Sequence, residues 1–158
     1  MSKIEENKTS ESDMFVLFNE ISIISQLSVA LFERTLPDGL TNSQFGVLNW
    51  FMRVDTEACP GRLAAAFQVT AGAMTNTLKR LEAKQFIEVV PDSTSGRKKK
   101  VTITTKGMEA RELAVASVSP LFKEFASVFS SAKIKKQVKE LQKIRQYLDE
   151  RRFLPENR

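Results

Sequence analysis

Residues 71–107 read AGAMTNTLKRLEAKQFIEVVPDSTSGRKKKVTITTKG, and the order of their parts decides the fold. At about 100° per residue, Ala71, Met74, Leu78 and Leu81 share one side of a wheel, which predicts a helix burying that stripe. Gly72, Asn76, Lys79, Arg80 and Ala83 lie on the other side, so the opposite face is small, polar and basic. Thr70 stands just before this segment and supplies an N-cap oxygen. The runs FIEVV (86–90) and KVTITT (100–105) are rich in β-branched residues. In the second, Val101 and Ile103 alternate with Lys100, Thr102 and Thr104 as a half-buried strand would. The PDSTSGR between them is turn chemistry, so the two runs are expected to pair as a hairpin with its tip near Ser95 and Gly96. Four consecutive basic residues, Arg97 to Lys100, follow that tip.

Upstream, LTNSQF (40–45) is a strong helix start. Thr41 can accept the backbone N–H of Gln44, Gln44 can reach back in a capping box, and Leu40 can staple onto Phe45. A helix is expected from Asn42 to about Arg53, then a polar loop VDTEACPG (54–61) and a short helix RLAAAF (62–67). Between Asp13 and Arg34 the apolar residues Met14, Leu17, Phe18, Ile21, Ile24, Leu27 and Leu31 recur at three- and four-residue steps. That spacing predicts a helix with one buried face. Phe15, Ile23 and Val29 add more apolar surface than one face needs, which points to a second contact. Downstream, Thr104 can cap a helix through MEARELAVASV (108–118). Pro120 is expected to kink or restart it, with Ser119 as cap. A last helix from about Ala132 carries the stripe Ile134, Val138, Leu141, Ile144 and Leu148, with Lys135, Lys136, Lys139 and Lys143 outside it.

The chain has 158 residues, 42% hydrophobic and 27% charged, as expected of one globular domain able to bury a core without disulfides. Its charge is unevenly placed. Residues 1–35 carry 3 basic side chains against 6 acidic, residues 36–106 carry 10 against 6, and residues 107–158 carry 11 against 7. A localised basic patch of this kind points to a polyanion. Asn19, Glu20 and Gln26 interrupt the apolar tracts near the N-terminus, so no membrane-crossing helix is expected. MSKIEENKTSESD lacks the pattern of a secretory signal, which leaves a polar tail over residues 1–12 and a cytoplasmic protein. With one cysteine, Cys59, and no histidine, disulfides and the common zinc sites are excluded, and no cofactor or metal is expected. No acid–base constellation can be assembled from the spacing, so no enzyme is expected either.

A short helix, a tight turn, a second helix with a polar outer face and a basic hairpin are the parts of a winged helix-turn-helix. The second helix would enter the major groove of duplex DNA and the hairpin would clamp beside it. The fold class expected is mainly α with a small β-hairpin. The winged region, residues 37–106, would be flanked by an N-terminal dimerisation helix at 13–36 and C-terminal dimerisation helices at 107–158. Candidate DNA contacts are Thr70, Gly72, Ala73, Thr75, Asn76, Lys79 and Arg80 on the helix and Arg97, Lys98 and Lys99 on the wing. Asn76 suits an adenine edge, and Lys79 and Arg80 suit phosphate or guanine. A winged helix serving only as a protein-interaction module is the alternative, although such a module has little use for a basic wing.

GLTNSQFGVLNWF (39–51) and the run from Leu63 to Gly107 resemble the multiple antibiotic resistance regulator (MarR) family of bacterial transcription factors. That family's wing runs approximately Asp-Pro-x-Asp-x-Arg-x-x-x-Val-x-Leu-Thr-x-x-Gly. Asp92, Arg97, Val101, Thr104 and Gly107 match it, Ile103 replaces leucine, Ser93 stands for the proline and Ser95 for the second aspartate. The resemblance implies a homodimer with interdigitated terminal helices and a palindromic double-stranded operator. It also implies a transcriptional repressor often relieved by a small phenolic or otherwise apolar acid, for which Phe15, Phe18 and Phe45 are candidate pocket residues. Peroxide-sensing members usually carry their reactive cysteine in the first helix, a place Cys59 does not match.

Overall fold

The computed structural model describes residues 9–151, apart from the side chains of Gly96 and Arg97. Residues 1–8 of the expected polar tail lie outside the described residues. The described chain is six α-helices and a three-stranded sheet, and it divides between Val118 and Ser119 into two units.

In the first unit, α1 (Glu11–Glu33) starts at Ser10, whose hydroxyl accepts the Asp13 N–H while the Asp13 carboxylate takes the Ser10 N–H. A 3-10 turn at Pro37–Gly39 leads to α2 (Asn42–Arg53), which opens with the expected Thr41–Gln44 capping box. Then come β1 (Glu57–Ala58), α3 (Pro60–Phe67), α4 (Ala71–Ala83), β2 (Ile87–Asp92), β3 (Ser95–Ile103) and the start of α5 (Thr105–Val128). The core is Val47, Leu48 and Phe51 of α2, Leu63 of α3, Met74, Leu78 and Leu81 of α4, Ile87 and Val101 of the sheet, and Ala110 and Ala114 of α5. Full burial of side chains this large stabilises by roughly 1.5–3 kcal/mol each. All buried hydrophobic residues described fall between Leu40 and Ala114.

Three local devices set the junctions. Gln68 ends α3 in the left-handed region (φ 54°), and Val69 N–H returns to the Ala64 carbonyl, which makes the tight turn into α4. A non-glycine residue there costs about 1–2 kcal/mol of backbone strain. Gln85 (φ 63°) ends α4 the same way and turns the chain into β2. At the start of α5, Thr104 Oγ1 accepts the Gly107 N–H at 3.0 Å and donates to the Gln85 carbonyl at 2.7 Å, so one hydroxyl ties wing to helix. Gly107 sits so close to the Phe86 carbonyl that a Cβ there would overlap it.

In the second unit, the remainder of α5 from Ser119 is followed by α6 (Ser131–Arg151), and α6 has no buried residue. Of the expected stripe, Ile134, Val138, Leu141 and Leu148 are exposed in the single chain and Ile144 is half-buried.

Five expectations need correction. The 54–61 segment is not wholly loop: Glu57–Ala58 pairs with Val101–Thr102, because an extended backbone there gains hydrogen bonds from the edge of β3. The hairpin tip is the two-residue turn Ser93–Thr94, with Asp92 facing Ser95, because the Asp92 carboxylate captures Thr94. Ala71 is exposed, since the first turn of α4 projects beyond the core. Pro120 does not restart α5 with Ser119 as a new cap: the helix runs through it from Thr105 to Val128, without the hydrogen bond that the missing proline N–H would have made. Finally, α1 is long and apolar enough to cross a membrane by length and composition, because three polar side chains dilute so many large apolar ones too little.

Candidate nucleic-acid interface

Helix α4 presents its two faces as the periodicity requires. Met74, Leu78 and Leu81 are buried, while Thr70, Gly72, Ala73, Thr75, Asn76, Lys79 and Arg80 are all exposed. Thr70 is the N-cap, its hydroxyl accepting the Ala73 N–H at 3.1 Å, so the first turn is fixed where it meets solvent. Thr75 donates to the Ala71 carbonyl at 2.8 Å, which leaves its oxygen lone pairs turned outward along the helix. Lys79 and Arg80 have no ion-pair partner among the described residues. A Cβ added at Gly72 would meet nothing within 4 Å. Packing within the chain therefore gives no reason for glycine here, although glycine in a helix costs roughly 0.5–1 kcal/mol relative to alanine.

The helix-turn-helix is braced from behind. Arg62 of α3 pairs with Asp55 at 2.6 Å and lies over the Trp50 ring at 5.1 Å, joining α3 to α2. Arg111 of α5 is only 16% exposed; its guanidinium donates twice to Asn49 Oδ1 of α2, at 2.9 and 3.2 Å, and once to Glu112. Lys84, just past α4, donates to the Asp38 carbonyl and anchors that end of the helix to the preceding turn.

The wing divides its basic run between structure and solvent. Lys100 is paired with Glu57 of β1 at 3.0 Å and staples the sheet. Lys98 and Lys99 are exposed without an ion-pair partner among the described residues. Arg97 lies in β3, with its side chain outside what is described. At the tip, Asp92 Oδ1 accepts the Thr94 N–H at 2.9 Å and the Thr94 hydroxyl at 2.7 Å. These two bonds, the backbone one first, hold the Asp92 carboxyl below its ordinary pKa against a small opposing desolvation, and Lys100 and Lys98 add to the effect. The residues were legible as an Asp-x-Thr pattern, a common side-chain turn.

Phe15 points away from the core at 75% exposure, Phe18 is exposed on the same helix, and Phe45 packs against the core cluster. Cys59 is exposed at the N-cap of α3. No cluster of metal-binding side chains occurs among the described residues.

A recognition-type helix with a free polar face, a preceding helix at a tight turn and a two-sided basic hairpin define a winged helix-turn-helix protein. The MarR family profile matches residues 38–98, the segment that holds these elements. The transcriptional regulator BldR from Sulfolobus solfataricus superposes with a TM-score of 0.75 at 25% identity, covering 88% of this chain and 99% of its own. A mutant MarR from E. coli complexed with operator DNA gives 0.73 at 24% identity, over 87% and 99%. Bordetella bronchiseptica BpsR, described in terms of regulation of its DNA binding by 6-hydroxynicotinic acid, gives 0.70 at 24%, over 81% and 97%. No curated protein matches by sequence. Residues 38–98 thus match the MarR family, and the chain shares the winged helix-turn-helix fold of these DNA-binding transcriptional regulators.

Proposed function

We propose that this protein is a cytoplasmic repressor that binds a palindromic double-stranded operator as a homodimer and lets go when a small apolar or aromatic ligand binds. The observation that carries the reading is the outer face of α4, exposed from Thr70 to Arg80, unengaged by the chain's own acids and stripped of side-chain bulk at Gly72. Such a face fits a major groove: Gly72 and Ala73 allow close approach, Thr70 and Thr75 offer hydroxyls, Asn76 reads an adenine edge, and Lys79 and Arg80 take phosphate or guanine. Arg97 of the wing is assigned to the minor groove, with Lys98 and Lys99 on phosphates.

The exposed apolar surfaces of α1 and α6 support a homodimer seam as the use of these helices, in preference to a membrane. The ligand limb rests on the example of BpsR and on Phe15 and Phe18 of α1 and Phe45 of α2 as candidate pocket residues. Selection of bound sequences from a random duplex pool tests the core of the reading. The expected consensus is a palindrome with half-site centres about 10 base pairs apart; a single unpaired half-site counts against the dimer. Titrating the selected complex with hydroxylated aromatic acids tests the ligand limb, and a complex that none of them releases would remove it.

A further inference from the structure

The wing tip holds a bond pattern that the core does not require. Ser93 and Thr94 are both exposed, so no packing shapes the turn. Its shape comes from one carboxylate: Asp92 Oδ1 takes both the backbone N–H and the hydroxyl of Thr94. Immediately beyond, the pairing slips. Asp92 faces Ser95 but Pro91 faces Lys99, so residues 96–98 have no opposite number in β2. Three unopposed residues beginning with glycine would sample many backbone conformations if either end were free. The Pro91–Lys99 pair closes the inner end, and the Asp92–Thr94 turn closes the outer one.

We infer that Asp92 and Thr94 are positioning residues for operator recognition, closing the wing's bulge so that the backbone carrying Arg97 is held in one conformation before DNA arrives. The inference rests on the assignment of Arg97 to the minor groove. It gives a use to a negative charge that is otherwise out of place. A carboxylate on a DNA-facing hairpin repels phosphate, and by charge alone its removal would tighten binding to every duplex. Its retention makes sense where the oxygen is needed as an acceptor. Preordering of this kind improves affinity by lowering the entropy lost on binding, without adding a contact to the DNA.

The sign of the mutant effects separates positioning from charge. Asp92→Ala removes acceptor and charge together, while Asp92→Asn removes the charge and keeps an oxygen that can accept from Thr94. If Asp92 positions the wing, Asp92→Ala should weaken operator binding about tenfold, roughly threefold at each of two wings, while leaving non-specific binding equal or tighter. Asp92→Asn should hold or exceed wild-type operator affinity. Thr94→Val should lose about half of the same effect on a logarithmic scale, and Thr94→Ser should restore it. These are measured by fluorescence anisotropy on the selected operator and on a scrambled duplex across a salt series, with far-UV circular dichroism confirming the fold.

Arg97→Ala, run in parallel, tells the two levels apart. It should weaken operator binding and make the slope of log affinity against log salt shallower by about 1.8, at roughly 0.9 per lost phosphate-type contact in each of two wings. Wild-type behaviour of Arg97→Ala would remove the wing from recognition, and the positioning role with it. A weakened Arg97→Ala beside equal tightening by Asp92→Ala and Asp92→Asn would leave the wing contact standing and overturn the lock alone.

Discussion

The winged unit and the helices that flank it stand at opposite ends of one scale. Between Leu40 and Ala114 the chain buries Val47, Leu48, Leu63, Leu81 and Val101 almost completely, and every polar side chain it buries is hydrogen-bonded among the described residues. Helices α1 and α6 have no fully buried residue: Leu27 is 66% exposed and Leu148 is 48% exposed. At roughly 25 cal/mol per Å² of apolar surface, long stripes of this kind left in water forgo a large part of the stabilisation their sequence offers. The difference teaches that the winged part completes its core within one chain, whereas the flanking helices leave apolar stripes exposed, the surface that the proposed homodimer would cover.

The strongest way to break this contrast is to charge the flanking seam. Leu27→Glu would place a carboxylate in each half of an apolar interface, at about 3–5 kcal/mol for an unpaired buried charge. Sedimentation equilibrium in detergent-free buffer should then show the 17.8 kDa monomer at concentrations where the parent chain is a dimer. A parent chain that is itself monomeric there would defeat the contrast outright. Next in size is Gly107→Ala, which attacks the self-sufficient unit. Its Cβ would overlap the Phe86 carbonyl, a backbone atom that cannot swing aside, so a loss of about 3 kcal/mol or more is expected in urea unfolding. A wild-type midpoint would mean that the junction between wing and α5 yields more easily than its geometry implies.

The remaining two predictions sharpen the comparison by touching neither core nor seam. Asn76→Ala should cost about 1–3 kcal/mol at one position of each half-site and leave non-specific binding and unfolding unchanged. An unaltered preference profile would show that Asn76 reads no base. Gly72→Ala is expected to raise stability by about 0.5–1 kcal/mol, because its methyl meets open space, and yet to weaken operator binding by crowding the groove. Gains in both would mean that α4 approaches DNA by another part of its surface.

Much of this architecture could be read without coordinates because its signals are local. The Thr41–Gln44 box and the Thr70 and Thr104 caps each act within four residues, and all three bonds are present. The alternation of Val101 and Ile103 marks a buried strand face, and both are buried. What escaped is what distant parts of the chain decide. Glu57 and Ala58 show no strand pattern; they are extended because β3, more than 40 residues later, offers them an edge. The tip moved from Ser95–Gly96 to Ser93–Thr94 because one carboxylate outcompeted glycine's freedom. Of the candidate contacts, exposure of the α4 face followed from the wheel, but the split among Lys98, Lys99 and Lys100 did not. Pairing with Glu57 distinguishes Lys100 only once β1 exists.

The two residues of β1 also bear on how the protein behaves when crowded. By lying along β3, they place the longest strand in the middle of the sheet, with neighbours on both sides. Only β1 and β2 remain as borders. One is too short to recruit a further strand, and the other carries the charge of Glu88 and the missing N–H of Pro91. Open sheet borders are the usual templates for edge-to-edge aggregation, and short length, charge and proline are the features that disarm them. The sheet thus gives a second sheet little to grow on.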